Sequence, residues 1–239
     1  MDKLEVSNLS SNYGLFAILQ GVSLNLNSGE TVAVMGPNGA GKTTLLKSIS
    51  GVTPPSIIDG SIKMNDFELR QVKRHEIAQK GVVLIPDGRE IFAGLTVEEN
   101  LTVASFAPHA KKHREESYEI VYQLFPILKE RVNQMAETLS GGQRQMLCIG
   151  MGLMNRPKFF LLDEPSTGLA PIVVLDLFTK IREICERYNI GVLLVEQQAR
   201  LALKLASRGY LLISGKIVLE GDKDSIANNP ELTRYYLSI

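Results

Sequence analysis

Length, composition and charge already exclude several classes of protein. The chain has 239 residues, 44% of them hydrophobic and 22% charged, so it can bury a substantial core and is neither disordered nor fibrous. Its 26 basic and 26 acidic residues balance, which excludes an overall charge for wrapping nucleic acid or lying on anionic lipid. We expect an ordinary globular protein.

The cysteines and the hydrophobic runs indicate a reducing compartment. Cys148 and Cys185 are too few for a disulfide framework, and both lie among apolar residues of predicted helices, where a thiol packs as a small hydrophobic group. The N-terminal residues lack the apolar run of a signal peptide, and no segment approaches the roughly 18 apolar residues of a membrane span. We therefore expect a soluble, cytosolic chain.

The first elements along the chain are strands that lead into a glycine-rich loop. Alternating and apolar patterns predict strands at 4–13, 22–27 and 31–36. After the loop, apolar residues recur on one face of a helix that begins near Lys42, and Gly51 is a suitable stop signal.

The predicted secondary structure changes from strands to helices in the middle of the chain. Residues 57–72 resemble a short hairpin, and 80–86 is a buried strand. Ser/Thr-x-x-Glu/Gln capping boxes at Thr96 and Ser140 predict the starts of helices, with charged helical sequence between them. This stretch is predicted to be a helical subdomain.

Strands and helices alternate again in the last third, which predicts an α/β sheet. The predicted elements are a strand at 158–163, a helix at 171–187, a strand at 191–197, a helix at 199–207, two strands at 209–214 and 216–221 joined at Gly215, and short helices over 224–238 interrupted at Pro230.

The string GPNGAGKT at 36–43 matches the phosphate-loop pattern GxxxxGK[ST], and it lies between a predicted strand and a predicted helix, as that pattern requires. Backbone N–H groups and the helix N-terminus would face the phosphates, Lys42 would reach the outer phosphates, and the Thr43 hydroxyl would bind Mg²⁺. A loop that binds no nucleotide is the alternative. The predicted nucleotide-binding residues are Gly36, Pro37, Asn38, Gly39, Ala40, Gly41, Lys42, Thr43 and Thr44.

Two adjacent carboxylates, Asp163 and Glu164, follow the apolar run KFFLL. Strand alternation predicts that their side chains point in opposite directions and so have different roles. Asp163 would hold Mg²⁺ through water, and Glu164 would orient or deprotonate the attacking water. A solvated acidic turn is the alternative.

His109 and His113 are the remaining candidates for metal binding. Their i, i+4 spacing predicts a shared helix face, but neither a carboxylate-rich nor a Cys pattern accompanies them. A solvated helix face is the favoured interpretation, and the same holds for His75.

The string LSGGQRQ at 139–145 places a serine and two glycines at a predicted helix N-terminus, which suits an anion. This string resembles the signature of ATP-binding-cassette (ABC) ATPases. By that resemblance Ser140, Gly141, Gly142 and Gln143 meet the γ-phosphate of the ATP bound by the opposite subunit. A helix cap alone would use the same Ser140 and Gln143.

The resemblance to the ABC family extends over nearly the whole chain. It implies a single ABC ATPase domain over 1–239: a P-loop NTPase (RecA-like) α/β core with an antiparallel β subdomain (1–87 and 157–239) and an inserted α-helical signature subdomain (88–156). It also implies that Tyr13 stacks on the adenine of ATP. A partly buried tyrosine without that role is the alternative.

Two residues depart from the general family pattern. Asp87 stands where most members have Gln; a carboxylate there can still ligate Mg²⁺ but repels the γ-phosphate. Gln197 stands at the switch position in place of the usual His, and its amide can bind a phosphate but carries no positive charge. The loop at 166–170 also lacks the usual Asp. We expect hydrolysis with Glu164, Lys42 and Gln197 as catalytic residues, at a weakened rate.

The combination of IPDGREIFAGLTVEENL, LLDEPSTGLAP and LLVEQQA resembles the second ATPase subunit of branched-chain amino acid importers. The resemblance implies a peripheral subunit on the cytoplasmic face of the cell membrane. Its expected partners are two permeases, a second cassette or another copy of itself, and indirectly an external binding protein, with no nucleic acid. Its expected cofactors are ATP and Mg²⁺. The permease contact would involve Phe92, Glu98 and Glu99.

Three alternatives remain open at this point. The chain resembles the cassettes of urea, amide or other amino acid importers almost as closely. A soluble cassette that works on ribosomes or DNA is a second alternative, although such proteins usually carry two cassettes or a long coiled coil. A regulatory module that binds ATP without hydrolysing it is a third, suggested by Asp87 and Gln197 and opposed by Glu164.

Overall fold

The computed structural model describes residues 1–232. The strands are β1 (Lys3–Tyr13), β2 (Phe16–Asn27), β3 (Thr31–Met35), β4 (Ser56–Met64), β5 (Phe67–Glu68), β6 (Val82–Ile85), β7 (Phe159–Asp163), β8 (Gly191–Glu196), β9 (Arg208–Ile213) and β10 (Lys216–Asp222). The helices are α1 (Lys42–Ile49), α2 (Arg74–Gln79), α3 (Val97–Ala104), α4 (Pro108–Lys111), α5 (Arg114–Leu124), α6 (Pro126–Glu130), α7 (Gly141–Met154), α8 (Pro171–Tyr188), α9 (Ala199–Leu205) and α10 (Lys223–Ala227).

The strands form two sheets. A four-stranded antiparallel sheet has the order β2-β1-β4-β5, and a six-stranded sheet has the order β10-β9-β3-β8-β7-β6. In the second sheet every neighbouring pair is parallel except β9 and β10. Strands β3, β7 and β8 are buried along their whole length, which explains their uninterrupted apolar sequences.

Helices α3 to α7 lie in the chain between β6 and β7, and all of them except α4 share a hydrophobic core with one face of the six-stranded sheet. Helix α7 is central to this region because it packs against α3, α5, α6 and β6. A second core fills the space between the two sheets and around α1. The division of the chain at residues 87 and 157 into subdomains stays a prediction.

Most elements agree with those predicted from the sequence, including the capping boxes at Thr96 and Ser140 and the burial of both cysteines. Strand β2 begins at Phe16 rather than at 22, because pairing with β1 extends it through a stretch without clear alternation. The predicted hairpin at 57–72 has a second arm of only two strand residues, followed by a 3₁₀ turn. Of the helical segment predicted at 224–238, residues 233–238 lie outside the described part of the chain.

The predicted shared helix face of His109 and His113 is wrong. His109 lies in α4, whereas His113 precedes α5 as its N-cap, so a break separates the two residues. The His109 Nε2 atom lies 3.3 Å from the Asn155 carbonyl oxygen, and His113 Nδ1 lies 3.3 Å from a Glu116 carboxylate oxygen. The two imidazoles therefore have separate partners.

Candidate functional site

The candidate site lies at one edge of the six-stranded sheet. Strands β3, β6, β7 and β8 run parallel, so their C-terminal ends meet at this edge, where ligands of open α/β sheets bind. The segments that follow these strands are the glycine-rich loop, Pro86–Asp87, Glu164 and its loop, and Gln197. Residues far apart in sequence are thereby gathered in one place.

The glycine-rich loop after β3 is shaped by two of its glycines. A Cβ atom on Gly36 would lie 2.2 Å from the Leu212 carbonyl oxygen, so no other residue fits there. Gly41 has a left-handed φ of 106° and forms the N-cap of α1 without any side-chain cap. The first N–H groups of α1 therefore remain available for an anion.

Lys42 is nearly fully buried, at 4% exposure, and its ammonium group lies inside the loop. Its Nζ atom donates to the carbonyl oxygens of Gly36 at 2.9 Å and Pro37 at 3.2 Å, and it lies 3.1 Å from Glu164 Oε1. The loop thus holds a buried cation beside uncapped backbone N–H groups, an arrangement complementary to phosphate.

Asp163 ends β7 against the start of α1. The Thr43 hydroxyl donates a 3.2 Å hydrogen bond to Asp163 Oδ1. Burial raises the pKa of Asp163, and the negative charges of Glu164 and Asp87 raise it further, against the lowering effects of the Thr43 hydrogen bond and of Lys42. A nearby divalent cation would offset these costs of ionisation.

The donor set fits Mg²⁺. Within residues 1–232 no group of three or more His, Cys, Asp or Glu is arranged to hold a metal by itself. Mg²⁺ does not need such a group, because it is usually bound by one or two carboxylates together with water and substrate phosphates. Thr43 and Asp163 supply a hydroxyl and a carboxylate beside the phosphate loop, which suits this mode of binding.

Strand alternation predicted that the side chains of Asp163 and Glu164 point in opposite directions, and this prediction is wrong. Strand β7 ends at Asp163, and Glu164 has a left-handed φ of 44°, so the alternation of side chains stops before it. Its carboxylate contacts Lys42, and it accepts a 3.3 Å hydrogen bond from the Thr167 hydroxyl. Both carboxylates consequently lie at the phosphate loop.

The LSGGQ segment begins α7. The Ser140 hydroxyl accepts from the Gln143 N–H at 3.3 Å, and the Gln143 side chain accepts from the Ser140 N–H at 3.0 Å. Gly141 and Gly142 occupy the first two helical positions, whose N–H groups have no partner within the helix. The helix cap leaves the N–H groups of Gly141 and Gly142 free of intrahelical partners, so it is compatible with the predicted binding of an anion.

The three remaining predicted residues lie at or just beyond the ends of three different strands. Asp87 is exposed after β6, where its carboxylate accepts from the Gly88 N–H at 2.8 Å, and Gln197 is exposed after β8. Tyr13 is half-buried at the end of β1, where it pairs with Phe16 across the hairpin. Further along β2, a Leu19 methyl group lies 2.9 Å from the position of a Cβ on Gly41, so this sheet backs the phosphate loop.

Sequence reasoning missed two residues, Glu196 and Arg89. Glu196 is 2% exposed and accepts a 3.2 Å hydrogen bond from the Ser166 N–H, and burial raises its pKa. A carboxylate inside the otherwise apolar run GVLLVE was a usable signal for this residue. Arg89 donates to the Thr167 carbonyl oxygen, and its local sequence gave no sign of this contact.

Comparisons with known proteins identify the family. The family model described as "ABC transporter" matches residues 19–167. The high-affinity branched-chain amino acid transport ATP-binding protein BraG of Pseudomonas aeruginosa is 42% identical over 98% of this chain and 99% of its own length. This chain belongs to the ABC transporter ATP-binding proteins.

A second relative and a solved structure are also similar to this chain over nearly its full length. The lipopolysaccharide export ATP-binding protein LptB of Haemophilus influenzae is 34% identical over 99% of this chain and 98% of its own length. A crystal structure of the ADP conformation of MJ1267, an ATP-binding cassette of an ABC transporter, has a TM-score of 0.88 and 26% identity with full coverage of both chains. These findings confirm the predicted P-loop NTPase fold class and the predicted ATPase activity.

Membership of the ABC family also indicates what kind of subunit this chain is. The chain is an ATP-binding subunit, and such subunits of importers work with membrane permease components. Among the helices of residues 1–232, none has the length and apolar character needed to cross a bilayer.

Proposed function

We propose that this ABC ATPase binds Mg²⁺-ATP at the phosphate loop and energises an importer of branched-chain amino acids. The observation that carries the proposal is the meeting of Lys42, Thr43, Asp163 and Glu164 at one edge of the sheet. This arrangement combines a cation for phosphates, two oxygen ligands for a metal and a carboxylate for water.

Nucleotide binding rests on the glycine-rich loop and Lys42. The Lys42 ammonium exchanges its contact with Glu164 for the outer phosphates and keeps its carbonyl contacts to Gly36 and Pro37. The uncapped N-terminus of α1 adds backbone donors and a favourable dipole. Tyr13, at the tip of the adjoining hairpin, stacks on adenine.

Hydrolysis rests on the two carboxylates. Thr43 and Asp163 are the residues that would hold Mg²⁺, with Asp87 as a further candidate, and the bound ion would neutralise charge that develops on the phosphate oxygens. Glu164, released from Lys42 when phosphate binds, orients the attacking water and accepts its proton. Gln197 donates its amide to the γ-phosphate without adding positive charge.

The LSGGQ segment serves the site of a partner cassette. The N–H groups of Gly141 and Gly142 and the Ser140 hydroxyl are anion donors at the start of a 14-residue helix. We infer that Ser140, Gly141, Gly142 and Gln143 contact the γ-phosphate bound by the opposing cassette. The opposing cassette is a second chain or another copy of this one.

The assignment to branched-chain amino acids is supported by the similarity to BraG over nearly the full length of both proteins. We infer a peripheral location on the cytoplasmic face of the membrane, with two permeases and an external binding protein. The permease contact uses the surface around Phe92, Glu98 and Glu99. Phe92 is 49% exposed, which suits an apolar contact at this surface.

A second candidate function, energising lipopolysaccharide export, is supported by one comparison. LptB, whose name assigns it to lipopolysaccharide export, covers this chain as completely as BraG does, at lower identity. The two experiments below also test urea or amide import and a role on ribosomes or DNA.

The experiment is affinity purification of the Glu164→Gln chain from gently solubilised native membranes with Mg²⁺-ATP, followed by mass identification of its partners. We expect two hydrophobic permeases and a second cassette or a second copy. An untagged chain controls for nonspecific capture. Lipopolysaccharide export components, or ribosomal or DNA-associated proteins, would contradict the importer assignment.

A second step tests the substrate. The wild-type chain is purified with its partners in the same way and reconstituted with the external binding protein, and ATP hydrolysis by this complex is measured with leucine, isoleucine, valine or urea. We expect stimulation by the branched-chain amino acids. Stimulation by urea alone would replace the substrate class while leaving the importer assignment in place.

A further inference from the structure

Arg89 connects the segment after β6 to the loop that follows Glu164. It lies two residues beyond Asp87 and has a left-handed φ of 54°, a conformation that costs energy for a residue with a Cβ atom. Its guanidinium group donates to the backbone carbonyl oxygen of Thr167. The local conformation thus coincides with a contact to a residue 78 positions away in the chain.

The guanidinium also fills the space between two glycines. A Cβ atom on Gly141 would lie 2.8 Å from Arg89 Nη1, and one on Gly168 would lie 3.4 Å from Nη2. Arg89 therefore packs between the start of α7 and the loop at 166–168. Among residues 1–232 no carboxylate lies within ion-pair distance of its guanidinium, so its main anchor is the Thr167 carbonyl.

Thr167 carries this contact to the catalytic carboxylate. Its backbone carbonyl accepts from Arg89, while its side-chain hydroxyl donates to Glu164 Oε2 at 3.3 Å. The other carboxylate oxygen, Oε1, faces Lys42 at 3.1 Å. Two hydrogen bonds through one residue therefore link Arg89 to Glu164.

We propose that Arg89 is a positioning residue for Glu164, acting through Thr167. By fixing the Thr167 backbone, Arg89 fixes the direction of the hydroxyl, and the hydroxyl keeps the Glu164 carboxylate aimed at the attacking water once phosphate has taken Lys42. The proposal rests on the assignment of Glu164 as the base under the proposed function. Small displacements of such a group reduce rates strongly, because reaction requires close alignment.

The test measures steady-state ATP hydrolysis and ATP binding by the purified chain. The variants are Arg89→Ala, Arg89→Lys, Thr167→Val and the double variant Arg89→Ala/Thr167→Val. We expect Arg89→Ala and Thr167→Val each to lower kcat about tenfold with KM and ATP affinity unchanged, because the loss occurs only in the transition state. The double variant loses no more than either single variant, because both interrupt one path.

Three controls separate positioning from general damage. Arg89→Lys, which can still reach the carbonyl with one donor, recovers part of kcat, and Thr167→Ser, which keeps the hydroxyl, stays near the wild-type value. Arg74→Ala removes an exposed arginine of α2 and changes neither parameter. Unchanged ATP affinity shows that the variants are folded.

Three results would overturn the proposal. Losses that multiply in the double variant mean that Arg89 and Thr167 act independently. A raised KM with unchanged kcat means that Arg89 binds nucleotide directly, and unchanged kinetics mean that it is a structural tether. Glu164→Gln in the same assay distinguishes failure of this proposal from failure of the proposed function. Wild-type turnover by Glu164→Gln would contradict the assignment of Glu164 as the base. If Glu164→Gln is inactive but the losses from Arg89→Ala and Thr167→Val multiply in the double variant, only the role of Arg89 is contradicted.

Discussion

Replacing Glu164 by Gln is expected to strengthen ATP binding and to slow ATP hydrolysis, and the change in binding can be worked from the contacts of its side chain. In the wild-type chain the carboxylate lies 3.1 Å from the buried Lys42 ammonium, with side-chain exposures of 18% and 4%. Under the proposed function Lys42 leaves this contact to meet phosphate, so the ion pair competes with ATP. Gln keeps the shape and an acceptor oxygen but loses the charge.

The change in ATP affinity follows from the difference between the hydrogen bond that Lys42 makes to a charged Glu164 and the one it makes to a neutral Gln. A hydrogen bond to a charged acceptor contributes about 1 kcal/mol more than one to a neutral acceptor. Removing that difference from the nucleotide-free state strengthens ATP binding about fivefold. Loss of the base lowers turnover about 10²- to 10⁴-fold, which corresponds to roughly 3–5 kcal/mol.

The assay combines equilibrium binding of a fluorescent ATP analogue with phosphate release, both in Mg²⁺. Glu186→Gln is the matched control, because Glu186 is an exposed carboxylate of α8 far along the helix from the site. Weaker ATP binding by Glu164→Gln would refute the competition argument. Turnover at the wild-type rate would refute the assignment of Glu164 as the base.

Three further predictions concern the other site residues. Lys42→Ala abolishes ATP binding in the same fluorescence assay and lowers the free energy of unfolding by about 1–3 kcal/mol, because the carbonyl oxygens of Gly36 and Pro37 and the partly buried Glu164 carboxylate lose their partner; wild-type affinity would contradict this. Asp163→Asn abolishes Mg²⁺-dependent hydrolysis yet unfolds at a higher temperature at pH 7. Burial raises the pKa of Asp163 in the folded chain above its pKa in the unfolded chain. The wild-type chain therefore loses stability as the pH rises from the pKa of the unfolded chain through that of the folded chain, whereas the Asn variant has no such loss. A melting temperature of Asp163→Asn below that of the wild type would contradict this. Gln197→His raises turnover by supplying a cation at the γ-phosphate, and a lower rate would show that Gln is the better fit.

The sheet and its ligand edge were predictable because their causes are local in sequence. The uninterrupted apolar runs of β3, β7 and β8 indicate strands buried on both faces, and the glycine-rich loop must follow such a strand. The capping boxes at Thr96 and Ser140 likewise fix helix starts from four adjacent residues.

The direction of Glu164 was not predictable from alternation. The strand period applies only while the backbone stays extended, and the chain leaves that conformation at Glu164. The contact of Arg89 with Thr167 depends on the arrangement of two loops. Helix α4 ends at Lys111 and α5 begins at Arg114, so the helical period that would relate His109 to His113 is interrupted. None of these three features follows from a periodic sequence pattern.

The roles of the site residues are tested most directly by the crystal structure of the Glu164→Gln chain with Mg²⁺-ATP. We expect the phosphates on the loop at 36–44, Lys42 Nζ on the outer phosphates, and the metal ion next to Thr43 and Asp163. Phosphates bound elsewhere, or a metal ion held by Asp87 without Asp163, would contradict this expectation.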